Sequence, residues 1–459
     1  MAKNSKHLPI DIVKGRAPEE KTPEYVRSIR LENVRCFGSE PQELNFCNSE
    51  GSPSQWTILI GDNGTGKTTL LECLIGFELM TTKQPLAHLE HVPRFVSWEL
   101  GQRDVHFARL GAHEWKMTIE TEWGANLSAK RRKAGIGSCD FIVENTGSCQ
   151  WGGSAHAIPT FYSYGAARRM GTTSLANGSA DDATASLIDD SAELRNAEEW
   201  LLKLDYSASK RSEIRRSQRE RFELVRNLLI DILPDVSDIR ISDPTKQRPQ
   251  PTAEFKTLDG WMPLEWIGYG YRTLIAWMVD FASRMVERYP RRKDPLKQPA
   301  VVLVDEIDLH LHPKWQRSLM TFLSKRFPNT QFIVTAHSPI FVQAATGANI
   351  VLLRRDEAKG HVVIENNPAS IRGWRVDQLL TSDLFGFKTA RPPDLEPSLI
   401  ERKKLLSKSR LTSRDKTRLK QLEKEIGVLP DGETSDDARR NELLDRTLDA
   451  LQRQLEGPV

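Results

Sequence analysis

The chain has 459 residues, 39% hydrophobic and 28% charged, so it can bury a large core, and its length favours two lobes over one. No run approaches the roughly 18 to 20 apolar residues that span a bilayer, and no apolar signal core follows Met1, so a cytoplasmic protein without membrane contact is expected. The five cysteines include no C-x-x-C pair, which suggests neither a disulfide frame nor a zinc site, and a formal net charge of +3 is too small to argue nucleic acid by itself.

Residues 1–24 are polar, with Pro9, Pro18 and Pro23, and read as a flexible lead. Tyr25–Glu32 alternates as a strand should, and a second strand is expected near Glu43–Phe46. Trp56–Ile60 is a short apolar strand, and Gly61, Asp62, Asn63, Gly64, Thr65, Gly66, Lys67, Thr68 and Thr69 follow, running into a helix to about Leu74. Gly61, four residues, then Gly66-Lys67-Thr68 is the P-loop spacing. Such a turn curls tightly enough to aim successive amides at one anion, and the helix N-terminus adds positive potential for a polyphosphate. Lys67 is placed to reach the β/γ-phosphates of ATP, and Thr68 to put its hydroxyl on Mg²⁺.

Strands are expected at Val105–Leu110 and Trp115–Glu120. The run Lys130-Arg131-Arg132-Lys133 is either a solvated loop tip or a contact to a phosphate backbone. Gly171–Asp190 reads as a linker or mobile loop, and Ala192–Tyr206 and Ser209–Leu233 as helices, the second stopped by Pro234. That second helix carries Lys210, Arg211, Arg215, Arg216, Arg219 and Arg221 among Glu213, Glu220 and Glu223. A salt-bridged exposed face and a surface for DNA, RNA or a protein partner both stay open.

Ala300–Val304 is a continuous apolar strand ending in Asp305 and Glu306, as a central parallel strand reads when both faces are covered. Asp305 is expected to hold Mg²⁺ and Glu306 to orient and deprotonate the attacking water. His310 and His312 form a His-x-His pair before Pro313, with no third metal ligand nearby in sequence. Gln331–Thr335 is a further buried strand, running into the polar turn Ala336-His337-Ser338-Pro339. Trp266–Leu274, with Gly268 and Gly270, opens an apolar helix to about Val286. In the tail, Thr412–Asp415 is a capping box for a helix closed by Gly427, and Thr434–Asp437 is another. Leu444, Leu448, Leu451 and Leu455 form one stripe, suited either to the body of the chain or to a partner or homodimer seam.

Several of these stretches resemble one family. Ile29–Phe37 looks like the opening of RecF-, SMC- and OLD-like ATPases of the ABC class, Asp305-Glu306-x-x-x-His-Leu-His-Pro like their D-loop region, and Thr335-x-His337-Ser338-Pro339 like their switch-histidine turn. Phe161–Arg169 is similar to a Tyr-Gly-x-x-Arg segment near the nucleotide or the lobe joint of such proteins, and a strand end with surface arginines stays open beside that reading. The resemblance implies that His337 contacts the γ-phosphate, and that Gly268 and Gly270 belong to a signature offered to the nucleotide of a second protomer. Gly268 stands where a serine is usual, so one hydroxyl contact is lost. The insertion is too short for SMC coiled-coil arms, and after Arg354 no Glu-Gly followed by Asp-x-Asp signals a Toprim nuclease.

The implied architecture is an α/β ABC-type P-loop ATPase head with a mixed sheet, a helical insertion and a helical C-terminal extension. Its expected divisions are 25–190, first ATPase lobe; 191–260, helical insertion; 261–390, second lobe; and 391–459, a partner-binding extension. The nearest resemblance is to the ATPase subunits of Septu, including retron-associated versions. It implies an antiphage defence ATPase, a homodimer or higher oligomer through ATP-sandwiched heads, and an effector partner such as an HNH nuclease. A RecF-like repair or recombination ATPase whose function is DNA contact is the alternative.

Overall fold

A computed structural model describes residues 10–14, 24–86, 89–97, 107–123, 135–144, 149–153, 158–172, 182–246, 248–368, 371, 373–408 and 410–427. Lys130–Lys133, Thr434–Asp437 and the Leu444–Leu455 stripe lie outside the described residues. Two compact units are present, Met1–Leu379 and Leu380–Val459.

The first unit is built on a six-stranded sheet in the order Phe161–Tyr164, Ala300–Val304, Thr330–Thr335, Trp56–Ile60, Asn349–Asp356, His361–Asn366. All neighbours pair in parallel except the last, which is antiparallel at the edge. The central strands are buried along their whole length, which is why they read as continuous apolar runs rather than alternating ones. Leu59, Val301, Leu303, Ile333 and Val351 join Leu70, Leu71, Leu74 and Ile75 of the helix Lys67–Gly76 in one core. On the opposite face Phe281 of the helix Tyr269–Arg288 packs edge-on against Tyr162 and at a tilt against Phe327, and Trp277 lies beside Tyr164. Each such fully buried side chain contributes roughly 1.5–3 kcal/mol of transfer free energy.

A second six-stranded sheet, Ile10–Lys14, Cys149–Gly153, Gly135–Glu144, Glu114–Trp123, Tyr25–Glu32 and Gln42–Asn45, adds Val26, Ile29 and Leu31 to the same core. Gln331, fully buried, clamps the two sheets: its amide accepts from Val26 N and donates to Val26 O, both at 2.8 Å.

The chain differs from the sequence reading at four places. Ile10–Lys14, inside the expected lead, is a strand parallel to Cys149–Gly153. Phe107–Leu110 is not a strand: its backbone is taken by the Asn33–Phe37 loop, through Arg35 N to Phe107 O at 2.8 Å and Arg109 N to Asn33 O at 2.9 Å. Within Gly171–Asp190 the segment Ala185–Ile188 is a short helix with Leu187 buried, tied to the edge strand by Ser163 N to Ala183 O at 2.9 Å. The insertion is not wholly helical. After the helices Ala197–Ser209 and Arg215–Ile232 come three antiparallel strands, Asp238–Ser242, Thr252–Thr257 and Gly260–Pro263.

In the second unit the helices Glu396–Leu406 and Ser413–Ile426 share a small core of Leu405, Leu419 and Leu422. Thr412 and Asp415 form the reciprocal capping box and Gly427, at φ +66°, caps the other end. Among the described residues no helix is long and apolar enough to cross a membrane.

Candidate functional site

Gly66 precedes the helix Lys67–Gly76 in the left-handed conformation, φ 85° and ψ 20°. A Cβ there would sit 2.4 Å from Cys36 Sγ, so glycine is demanded by both backbone and space. The first-turn amides carry no side-chain cap and stay available to an anion. Asp62, Asn63 and Gly64 form the exposed rim of the loop, while Thr65 is buried and its hydroxyl donates to Asp62 O at 2.8 Å. Lys67 Nζ donates to Gly61 O at 2.7 Å and Asp62 O at 2.9 Å, which holds the ammonium inside the curl. Burial pushes the Lys67 ammonium below its ordinary pKa, while Asp305, Asp62 and Glu306 act in the opposite direction.

The acidic turn sits at the carboxyl end of Ala300–Val304, beside the P-loop helix. Asp305, 7% exposed, accepts from Thr68 Oγ1 at 2.8 Å and from Thr335 Oγ1 at 2.6 Å. Three elements far apart in sequence thus meet at one carboxylate. Glu306 is only partly buried and lies in the left-handed region, φ 49°. Thr69, by contrast, faces the loop below, where Arg35 Nη1 reaches its hydroxyl at 3.2 Å.

His337 is exposed at the end of Thr330–Thr335. Its amide donates to Asp308 Oδ2 at 2.9 Å, and the Ser338 amide donates to the same oxygen. Gln316 ties the rest of this turn, accepting from Ser338 Oγ at 2.6 Å and donating to Asp308 O and Leu311 O at 3.1 Å. The two histidines before Pro313 have separate structural work. His312 caps the helix Pro313–Arg326 by accepting from Lys314 N, and the His310 ring packs edge-on against Tyr269 at 5.0 Å.

Gly268 is the N-cap residue of Tyr269–Arg288, with exposed backbone around it. Gly270 packs so closely on the turn that follows Glu306 that a Cβ would lie 2.5 Å from His310 O. The segment Trp266–Leu274 and the acidic turn are therefore in contact within one chain. Deeper in the same helix, fully buried Asp280 accepts from Arg284 Nε at 2.8 Å and Tyr164 Oη at 2.9 Å, and Tyr164 O accepts the Asp305 amide at 2.8 Å.

Thr335, Asp308, Gln316 and Arg168 were not singled out from the sequence. Arg168 had a signal, the Tyr-Gly-x-x-Arg spacing, which left surface arginines open as a reading. It is 2% exposed, and Nη2 donates to Glu306 O at 2.7 Å.

Residues 150–343 match a family described as "AAA domain, putative AbiEii toxin, Type IV TA system", and residues 28–77 match one described as "AAA domain". The chain is 25% identical to the Septu protein PtuA of Bacillus mycoides (strain KBAB4), over 88% of this chain and 50% of that protein. It is 24% identical to the Septu protein PtuA of Bacillus thuringiensis, over 83% of this chain and 89% of the relative. The Retron Ec83 probable ATPase of Escherichia coli is 34% identical over 33% of this chain and 27% of its own length. The chain thus spans about half the length of the first of these relatives. Among solved structures it is similar to an SMC head bound to the C-terminal winged-helix domain of ScpA, at 14% identity, 74% of this chain, 97% of that one and a TM-score of 0.44. The P-loop strand and helix and the acidic strand end beside them give the chain an α/β P-loop ATPase fold, its residues 28–77 and 150–343 match AAA domains, and it is similar to the Septu and retron ATPases.

Proposed function

We propose that the chain is the ATP-hydrolysing subunit of a bacterial antiphage defence assembly, whose heads close in pairs on ATP and control a partner effector such as an HNH nuclease. The convergence of Thr68 and Thr335 on Asp305 carries the hydrolytic part, because it gathers the P-loop helix, the acidic strand and the switch strand at one point. Lys67 and the amides of Gly61–Thr69 bind the polyphosphate. Thr68 and Asp305 offer the hard oxygen donors that suit Mg²⁺ alongside phosphate oxygens. Bound there, Mg²⁺ supplies charge neutralisation during phosphoryl transfer. Glu306 orients the attacking water and takes its proton, and His337 reads the γ-phosphate. Gly268 and Gly270 present the amides of a helix N-terminus to the nucleotide of a second protomer. In this reading 25–190 and 261–390 are the two ATPase lobes, 391–459 engages the effector, and the protein works in the cytoplasm.

The defence role is supported by the names of the Septu and retron relatives. Purification of tagged Glu306→Gln from its host, with mass, protein content and nucleic-acid content measured together, tests it. Lost turnover, an ATP-held dimer and a stoichiometric second protein are expected. Hydrolysis at the wild-type rate would remove Glu306 as the base.

A second reading, a RecF-like ATPase that acts by binding DNA, is favoured by one observation. Lys210, Arg211, Arg215, Arg216 and Arg219 are exposed, and among the described residues only Arg216 of this group forms an ion pair, with Glu220 at 3.0 Å. The expected salt-bridged face is thus sparse. Reversing Arg211, Arg215 and Arg219 to Glu should weaken duplex DNA binding and flatten its salt dependence. Unchanged affinity at low and high salt would leave only the first reading.

A further inference from the structure

We propose that Arg168 is a positioning residue for hydrolysis, fixing the Glu306 turn through its main-chain oxygen; this rests on the reading of Glu306 as the base. Arg168 follows the edge strand Phe161–Tyr164 after a bend at Ala166 and Ala167, and Gly165 before that bend is pressed so close to Ala185–Ile188 that a Cβ would lie 2.0 Å from Ser186 O. The bend returns the chain beneath the acidic turn. Arg168 itself is left-handed, φ 37°, and its Nη2 donates to Glu306 O at 2.7 Å.

Packing alone does not account for this side chain. Arg168 is 2% exposed, and its Nε is buried without a hydrogen-bond partner among the described residues. A buried unsatisfied donor is destabilising, and a well-packed apolar chain of similar volume often does better than a buried charge. Burial brings the guanidinium down to about 10, against the carboxylates of Asp305, Asp308 and Glu306, so it stays cationic at neutral pH.

What the guanidinium holds is the costly conformation next to it. Glu306 is a non-glycine residue at φ 49°, a strained region that persists only where surroundings impose it. The Glu306 amide is held from the other side by Thr335 Oγ1 at 2.7 Å. With both ends of the residue fixed, the backbone from which the carboxylate projects is held in place. Releasing the carbonyl lets the turn relax and swings the carboxylate away from the water it must orient.

The test compares Arg168→Met, Arg168→Lys and Glu306→Gln in the full chain. Steady-state ATP hydrolysis, equilibrium binding of a fluorescent ATP analogue with Mg²⁺, and thermal melting are read for each. For Arg168→Met we expect kcat to fall about tenfold to a hundredfold, the effect of misplacing a catalytic group by about 1 Å, with nucleotide affinity kept within about threefold. Arg168→Lys, which keeps a donor and the charge, should recover part of that loss. Wild-type kcat in Arg168→Met would overturn the proposal. So would kcat, affinity and melting temperature falling together with no rescue by lysine, since that is a merely structural arginine. Should the methionine variant not fold, lowered kcat with unchanged affinity in Arg168→Lys supports the role and wild-type kcat there overturns it. Glu306→Gln separates the two levels: full hydrolysis in that variant defeats the reading beneath, whereas abolished turnover there beside a normal Arg168→Met defeats only the role of Arg168.

Discussion

Thr335 joins the two acidic residues of the turn, donating its hydroxyl proton to Asp305 Oδ1 at 2.6 Å and accepting the Glu306 amide at 2.7 Å. The side chain is fully buried, so both bonds are made away from water. Thr335→Val keeps the shape and removes both. The expected loss is about 1–3 kcal/mol of stability, the cost of unmade buried hydrogen bonds. ATP turnover should fall with it, and Thr335→Ser should restore both. Denaturant melts and steady-state hydrolysis check this, and a valine variant as stable and active as the parent would contradict it.

Gly268 and Gly270 differ in what they tolerate. A Cβ on Gly270 would lie 2.5 Å from His310 O, which is backbone and cannot swing aside, whereas one on Gly268 would meet only Tyr271 Cδ2 at 3.8 Å. Gly270→Ala should therefore cost about 1–3 kcal/mol, as overpacking does, and shift the turn that follows Glu306. Gly268→Ala should be nearly silent in stability. Gly268→Ser should do more, adding back a hydroxyl at the helix N-terminus and raising hydrolysis per head at high protein concentration. Melting temperatures of all three, and turnover as a function of protein concentration, give the comparison.

How far the site was legible before folding follows from the physics of each part. The P-loop and the strand ending in Asp305-Glu306 announce themselves because their chemistry lies in consecutive residues, and both-face burial writes an unbroken apolar run. Asp308 and Thr335 do not, because each acts across sequence separations of about thirty residues, Asp308 on the His337 amide and Thr335 on Asp305. Their partners are backbone or carboxylate, and any strand-end threonine looks the same. Arg168 is a harder case, since exposed arginines outnumber buried ones and only tertiary burial tells them apart. The strands after Arg215–Ile232 were legible in principle. Asp238-Ile-Arg-Ile-Ser and Thr252-Ala-Glu-Phe-Lys-Thr alternate with period two, but basic helical neighbours drew the whole stretch toward a helical reading. Phe107 misled for the opposite reason: its apolar neighbours suit a strand, while its carbonyl is used by Arg35 N in a loop.

Lys67 predicts a binding defect rather than a rate defect. Its Nζ is fixed by Gly61 O and Asp62 O, so the charge is held inside the curl rather than sampled from solvent. Lys67→Ala should weaken binding of the nucleotide by on the order of 2 kcal/mol or more, roughly thirtyfold, the scale for truncating one partner of a desolvated charge pair. Lys67→Arg should not rescue, because a planar fork does not fit where a compact ammonium sits. Equilibrium binding of an ATP analogue is the readout, and normal affinity in the alanine variant would remove the claim on the loop.

Asp308 predicts the reverse. One of its oxygens takes the amides of both His337 and Ser338, and the residue is 7% exposed, so the carboxylate is what fixes the switch turn against the acidic one. Among the described residues none of its hydrogen bonds reaches Gly61–Thr69, so nucleotide affinity should survive its loss. Asp308→Ala leaves two amides without their acceptor, at a cost of about 1–3 kcal/mol each if they stay buried, and the turn escapes that cost by moving. His337 moves with it. Asp308→Asn keeps an acceptor oxygen but not the charge that strengthens bonds to backbone amides, so it should lie between parent and alanine. On the proposed role of His337, we expect single-turnover hydrolysis to fall about tenfold or more in Asp308→Ala with analogue binding unchanged, because a γ-phosphate contact made in the transition state would be displaced. Equal losses in affinity and turnover would mean that Asp308 supports the whole nucleotide site and not the switch turn in particular.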